Sequence, residues 1–447
     1  MKKALTALGL VAALAIGCLY GFLAFEKRWF PFRIVRAAYQ KVKPGAAPRR
    51  AVMAAADAGK AAQREAIGAL TQLPYLQGYN PASGKSGVRV FDETRASPGW
   101  NLAVSAHAAS AQLLDMRGAA HHRWSIDAKK VWPGLRLDPG RVAYGEYWRR
   151  AELLPEGDLL VVWEFIGIAR IDRRSQLKWA SDNGAHHDLA VAADGTIYAL
   201  TREVHVVPSV NKDDPVYEDF VSILEPDGRT RRRISLLKAF EGSDYAAVLT
   251  GMPESGDILH ANGLALLDGR LASRSPAFRA GNLLISLRSL NAVAILDPQT
   301  EKIVWALLGQ WRAQHSPSVL ANGRLLVFDN FGGLKLGTSR VIELDPFTQE
   351  IAWRYGEKPG QGMFSETNGG AQRLANGDTL ILESNAGRAL EITPEGETVW
   401  EYVNPFRVGE KQELQATLTQ LVRLPATLPI DWADHPASGA ATASAAP

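Results

Sequence analysis

The chain has 447 residues, 46% of them hydrophobic and 22% charged, a composition that excludes a mostly disordered chain and a polytopic membrane protein. Lys and Arg number 50 against 47 Asp and Glu, too even a balance for a nucleic-acid binder that works by neutralising phosphates. The only cysteine, Cys18, lies in an apolar N-terminal stretch, so the remainder has neither a disulfide framework nor a cysteine-ligated metal site.

Ala4–Phe25 carries no charged residue and is preceded by Lys2 and Lys3. As a helix it is long enough to cross a hydrocarbon core. The Ala15-Ile16-Gly17-Cys18 run also offers a lipidation site, but the apolar run continues past it, and a transmembrane signal anchor over residues 1–28 is the reading adopted. Lys27, Arg28, Arg33, Arg36, Lys41 and Lys43 follow the span and by charge alone would hold the rest of the chain inside. Long domains translocate largely regardless of charge, and an extracytoplasmic domain, periplasmic in a bacterium, is expected. Residues 29–84 contain an alanine-rich stretch, Arg49–Leu70, of helix-favouring composition, and are expected to form a short helical juxtamembrane stalk. Residues 431–447, small and nearly uncharged towards the end, are expected to be a disordered tail.

Between these lies a repeat. Each unit has a polar turn ending in Gly, an apolar strand, a second strand ending in an Asp or Pro turn, and a strand carrying Trp. NGRLLVFDN leads to VIELDPFTQEIAWRY with Trp353, and NGDTLILESN leads to ALEITPEGETVWEY with Trp400. Looser copies carry Trp305, Trp179 and Trp124, and in one copy Ile234 replaces the tryptophan. A short antiparallel sheet of this kind cannot bury both faces alone, whereas six stacked radially leave only short, protected edges. An all-β, six-bladed β-propeller over residues 85–430 is predicted, with the tryptophans packed between blades. A pair of β-sandwiches is the less regular alternative.

The turn glycines act as a ruler for the inner strand of each blade. Eight residues before Gly195 is His187, eight before Gly323 is His315, and His260 stands nine before Gly269. The same slot falls on Gly369 in the last unit and on Arg149 in the second. One such histidine is ordinarily a satisfied polar residue at a strand start. Three in consecutive units point to convergence on the channel. Imidazoles can hold a metal, with Asp188 beside His187 as a possible carboxylate. However, Arg288 in NLLISLRSL would repel a cation and match the oxygens of sulfate or phosphate. An anionic-group transfer site without metal or cofactor is the expectation.

Blades opening with HHD, with HAN after DIL and with QHSPSVLANGRLLVFDN, together with ISLRSLNAVAILDPQTEKIVW, resemble the arylsulfotransferase family. Its members are PAPS-independent aryl sulfate:phenol sulfotransferases on six-bladed propellers, typically bacterial and periplasmic. The likeness runs from Tyr147 to Phe406 and is strongest from His186 to Asn404. It implies an aryl sulfate donor, a phenolic acceptor and a transiently sulfonated histidine at the position of His315. His260, Arg288 and His187 match the family's H-x-N histidine, S-x-R arginine and HD histidine. Asn262 and Asn330 match asparagines near its site. Paired cysteines and the N-terminal β-rich domain that contributes to dimers have no counterpart here, and the oligomeric state stays open.

On this reading neutral His315 attacks sulfur and passes the sulfuryl group to a second phenol. Arg288 and His260 stabilise the oxygens, and His187 is the better placed to manage protons. Neighbours on a strand point to opposite faces, so Asp188 is not assumed to pair with His187. Tyr147, Trp148, Phe331 and Phe364 are candidates for an aromatic acceptor pocket, with Tyr147 and Phe331 preferred, or else for blade packing. The alternatives are a non-enzymatic, membrane-anchored propeller acting as binding scaffold or sensor, a quinone-binding propeller suggested by DPQTEKIVW, and a calcium-dependent hydrolase. Calcium prefers oxygen ligands, a poor match to three imidazoles and an arginine.

Overall fold

The computed structural model describes residues 78–136, 145–212, 216–335 and 337–433. The chain divides into two compact units, Met1–Gln72 and Leu73–Pro447, and the described residues all lie in the second. The predicted anchor, the alanine-rich stretch and residues 434–447 fall outside them. Among the described residues no helix is long and apolar enough to cross a membrane.

Among the described residues six sheets, each with a four-stranded antiparallel body, form the blades; Gly256–Asp257 adds a parallel strand to one of them, and a small three-stranded sheet stands apart. Blade 1 combines Leu418–Pro425, its inner strand, with Gly99–Ser105, Ser110–Leu114 and Ala120–Ser125. Blade 2 runs through Arg150–Leu153, Leu159–Trp163, Gly167–Ile171 and Leu177–Ser181. Blade 3 consists of Ala185–Val191, Ile197–His205, Val216–Leu224 and Thr230–Ser235. Blade 4 follows with Ala261–Leu266, Leu283–Leu287, Ala292–Asp297 and Lys302–Leu308. Blade 5 is His315–Val319, Leu325–Asp329, Arg340–Leu344 and Ile351–Tyr355. Blade 6 is Gly370–Arg373, Thr379–Glu383, Arg388–Ile392 and Thr398–Val403, with Gly87–Phe91 added at its outer edge.

The second strands LLVVW, LLISL, LLVFD and TLILE are buried at every position. Both faces of a blade are covered by its neighbours, so these strands read as continuous apolar runs rather than alternating ones. Six apolar clusters fill the six interfaces. Leu102, Val104 and Trp124 meet Val161 and Ile171 between blades 1 and 2, and Leu382 and Trp400 meet Leu418 and Leu421 where blade 6 closes on blade 1. The others lie between blades 2 and 3, 3 and 4, 4 and 5, and 5 and 6.

A bulge interrupts the pairing of the third and fourth strands at the same place in every blade, adding the twist that radial stacking needs. The residue paired just before it is His122, Trp179, Arg232, Trp305, Trp353 or Trp400. This side chain latches onto the next blade. Trp179 Nε1 donates to the Pro226 carbonyl at 3.0 Å, Trp353 to Pro394 at 2.8 Å and Trp400 to Met116 at 2.8 Å. Arg232 donates to Pro298, and His122 Nε2 lies 2.8 Å from the Arg173 carbonyl. Each acceptor is the second residue of a third-to-fourth-strand turn. Trp305 instead packs on Phe278, which packs on Phe347. Two sequence assignments shift: Arg232, not Ile234, occupies the tryptophan register in blade 3, and His122 occupies it in blade 1, with Trp124 two residues further on.

Tyr79–Pro81 lies inside the range assigned to a helical stalk, yet it is a strand. It pairs with Leu414–Ala416, beside the crossover from blade 6 to blade 1.

Candidate active site

The inner strands of blades 3, 4 and 5 start with a bulge, at Ala185/Leu189, Ala261/Gly263 and His315/Ser318. Left-handed backbone accompanies each: φ is 51° at His187, 53° at His260 and 50° at Ser316. Such conformations cost on the order of 1 kcal/mol for a residue other than glycine and re-aim a side chain out of the sheet. Two glycines permit the close approach. A β-carbon on Gly263 would come within 3.0 Å of Pro317 Cδ, and one on Gly369, at φ 118°, would strike the Phe328 ring.

These strand starts surround a cavity of about 210 Å³ lined by Arg149, His187, Asn262, His315, Gly369 and Gln420 among others. The ring of His260 stands 5.1 Å from that of His187. The predicted histidines therefore come together, with His187 and His315 on the cavity wall and His260 beside His187 but not on that wall, and the slot residues Arg149 and Gly369 join them. Arg288 does not line the cavity. It begins a short 3-10 turn after the second strand of blade 4, its backbone N–H donates to the His260 carbonyl at 3.0 Å, and its side chain is half-buried with no ion pair among the described residues.

The partners of each imidazole fix where its proton sits. His315 Nδ1 lies 2.8 Å from Asn330 Oδ1 and 3.1 Å from the Ala313 carbonyl. Asn330 Nδ2 donates to the Ser365 and Asn368 carbonyls at 2.8 and 2.6 Å, which orients the amide with its oxygen towards the ring. Nδ1 thus carries the proton and Nε2 the lone pair. His260 Nδ1 is 2.6 Å from Asp257 Oδ2. His187 Nδ1 is 3.1 Å from Glu164 Oε1 and 2.9 Å from His186 Nδ1, while His186 Nε2 faces Asp219 at 3.3 Å. In all three channel histidines Nε2 is the nitrogen left for a ligand.

Burial pushes the His315 pKa down to about 3, and the charges of Arg149 and Arg288 act in the same direction against the hydrogen bond that His315 donates to Asn330. Burial also holds His187 well below the usual histidine range, helped by Arg149 and Arg202. Both are neutral at pH 7. Burial alone would raise Asp219 and Asp257, but their hydrogen bonds to His186 and His260 and the charge of Arg202 outweigh it and keep both carboxyls below the ordinary range.

Asp188 does not touch His187. It pairs with Arg150 at 3.0 Å and accepts the Leu264 N–H at 3.0 Å, as strand alternation requires. Asn262 donates to the Gln314 carbonyl at 2.8 Å and leaves its buried Oδ1 without a partner. Gln314 ties blade 5 to blade 4 through Ser286 Oγ and the Ala292 carbonyl. Asn330 serves His315 and lies behind it, outside the cavity wall. Tyr147 and Phe331, predicted to bind substrate, are also absent from that wall. Phe331 packs edge-on against Phe364, and Trp148 is fully buried against Trp163.

Sequence reading missed Glu164, Asp257 and Arg202, and took Arg149 only as a slot residue. A second ruler would have found two of the missed residues: seven positions after the turn glycines 157, 195, 281, 323 and 377 stand Glu164, Arg202, Arg288, Asn330 and Ser384. These are the ends of the second strands, and they back the inner-strand slot residues. Glu164, His186 and His187 form the group of metal-type donors among the described residues. Arg149 Nε lies 3.1 Å from Glu164 Oε2, and the charges of Arg149 and Arg202 bear on His187. That positive field fits a cation poorly.

Comparison with solved structures gives low-identity likenesses. A protein of unknown function from Bacteroides caccae is 12% identical, with a TM-score of 0.46 and coverage of 73% of this chain and 98% of that one. A streptogramin B lyase structure is 14% identical, with a TM-score of 0.41 and coverage of 78% and 97%. The Dos1 propeller is 11% identical, with a TM-score of 0.38 and coverage of 72% and 76%. None of these bears on the chemistry. No curated protein matches the sequence. The family profile described as Arylsulfotransferase (ASST) matches residues 150–405, more than half of the chain and the stretch that supplies nearly all of the channel residues, and the protein belongs to that family.

Proposed function

We propose that the protein moves a sulfuryl group from an aryl sulfate ester to a phenolic acceptor through a sulfonated His315. The observation that carries this reading is the state of that imidazole: buried, neutral, its Nδ1 proton held by two oxygens and its Nε2 lone pair left for the cavity. Nε2 forms a bond to sulfur as the ester S–O bond breaks. The departing phenoxide takes a proton from the His260–Asp257 pair. The acceptor phenol returns that proton to His260 as its oxygen bonds to sulfur and the N–S bond breaks. Protons balance over the cycle, and splitting the transfer into two steps is what a covalent intermediate offers.

While sulfonated, the His315 ring is cationic, and its Nδ1–H bond to Asn330 strengthens. Arg288, with no carboxylate partner among the described residues, supplies positive charge to the sulfuryl oxygens. A phenol has a pKa of about 10, so base assistance contributes roughly 10²–10⁴-fold to acceptor attack. His187, kept neutral, accepts a hydrogen bond rather than a proton, which moves the proton-carrying role from His187 to His260. Anchoring through Ala4–Phe25 with the propeller outside the cytoplasm completes the proposal. It requires that alkaline washing leave the protein in membranes and that added protease reach the propeller in spheroplasts.

Incubation with a chromogenic aryl sulfate tests the chemistry. Histidine-linked sulfonate is expected on the wild type, and transfer when phenol is added. His315→Ala should lose both. Turnover retained in that variant removes His315 as nucleophile, and a wild type with no turnover leaves the scaffold reading.

A further inference from the structure

We propose that Arg149 is a second oxyanion-binding residue of the cavity, set in place by Glu164, and that this cavity takes a free tetrahedral oxyanion such as sulfate. The proposal deepens the reading above, on which it rests only for the identity of the transferred group.

Arg149 lies just ahead of the inner strand of blade 2, across the six-blade ring from His315 in blade 5. Its side chain is about nine-tenths buried and lines the cavity. Nε is 3.1 Å from Glu164 Oε2, and Nη1 is a long 3.5 Å from the Thr419 carbonyl. Nη2 has no partner among the described residues. A buried guanidinium with an unused N–H edge on a cavity matches oxygens that accept hydrogen bonds in a plane.

Glu164 gives the arrangement its character. Its Oε2 stands 3.1 Å from Arg149 Nε, an ion pair without hydrogen-bond alignment, and its Oε1 stands 3.1 Å from His187 Nδ1. One carboxylate therefore shares its charge between a guanidinium and an imidazole. Arg149 lines the cavity together with His187 and His315, and its charge acts on both. Arg288 acts on His315 from blade 4. An anion in the cavity then meets the Arg149 guanidinium on the wall, with the charge of Arg288 added from blade 4. At about 210 Å³ the cavity is smaller than the ~300–1,000 Å³ that holds drug-sized ligands, which suits a compact anion.

Calorimetric titration of the full-length protein in detergent with inorganic sulfate, at low and fixed ionic strength, tests this. The wild type should bind sulfate. Arg149→Met should weaken binding by roughly tenfold or more, the loss expected for one charge-assisted hydrogen-bonding group, and Arg149→Lys should recover part of it. Glu164→Gln keeps an oxygen for the His187 Nδ1–H but removes the negative charge, and should tighten sulfate binding at least threefold. A merely structural Glu164 would weaken it instead. Unchanged affinity in Arg149→Met, or weakened affinity in Glu164→Gln with the fold intact by thermal melting, overturns the proposal. A protein that binds sulfate in this pattern but never turns over an aryl sulfate would refute the transfer reaction and leave the anion site standing.

Discussion

Replacing His315 by Asn should make the fold less sensitive to acid. Asn presents an N–H where Nδ1 stood, towards Asn330 Oδ1 and the Ala313 carbonyl, and it removes the titrating ring. The wild-type imidazole is 3% exposed and its pKa is pushed down to about 3 by burial, whereas in the unfolded chain it is about 6.5. The unfolded state therefore gains a proton first as pH falls. The stability tied to this residue is intact above about pH 6.5 and is lost progressively down to about pH 3. Between pH 7 and 4.5 nearly two units of that window are crossed, at about 1.36 kcal/mol each, giving a loss of about 2.5 kcal/mol. This figure holds for any native value below about 3.5. Urea unfolding of wild type and His315→Asn at pH 7 and 4.5 measures it, since His187 and His107, also depressed by burial, contribute equally to both proteins. Parallel stability curves would show that His315 titrates normally in the native state, and the argument for a neutral nucleophile would fail with it.

Asp257→Asn removes the carboxylate that faces His260 Nδ1 at 2.6 Å. It should slow transfer to weakly acidic phenols by about 10²-fold while labelling of His315 by an activated aryl sulfate changes little, a split visible in pre-steady-state kinetics. Trp400→Phe deletes the indole N–H that reaches the Met116 carbonyl across the ring closure. It should lower unfolding stability by about 1–2 kcal/mol with transfer rates unaltered. Exhaustive chelation should leave turnover unchanged; a loss restored by a divalent ion would assign Glu164, His186 and His187 to a metal after all.

The six repeats and the inner-strand slot, with His187, His260 and His315 in it, were legible because each depends on spacing within one blade. A strand start recurs at a fixed distance from its turn glycine, and the hydrophobic run between them is forced by burial on both faces. What escaped was contact between blades. Glu164 reaches His187 from the preceding blade, and Arg202 reaches Asp257, which precedes the inner strand of the next one. Neither pairing leaves a mark in local sequence, because it exists only once the ring has closed. The same cause misplaced the aromatic candidates. Tyr147 and Phe331 stand next to slot residues in sequence, but alternation and the strand-end turns direct the cavity wall to small and polar groups such as Gly369, Gly370 and Ser316. Ile234 was taken for the missing tryptophan because it is the apolar residue of that strand, whereas the register position two residues earlier is held by Arg232.

Blade 1 takes its inner strand from Leu418–Pro425 and its other three from residues 99–125, and that inner strand brings Thr419 and Gln420 to the cavity wall. During synthesis the first three strands of this sheet emerge long before their fourth, so an exposed edge must wait, unpaired, for several hundred residues of translation. A ribosome that stalls in blade 6 releases a chain with five near-complete sheets and an unfinished pocket. Competence to bind is thereby delivered last, and fragments left by premature termination present an open sheet edge by which quality-control machinery could recognise them.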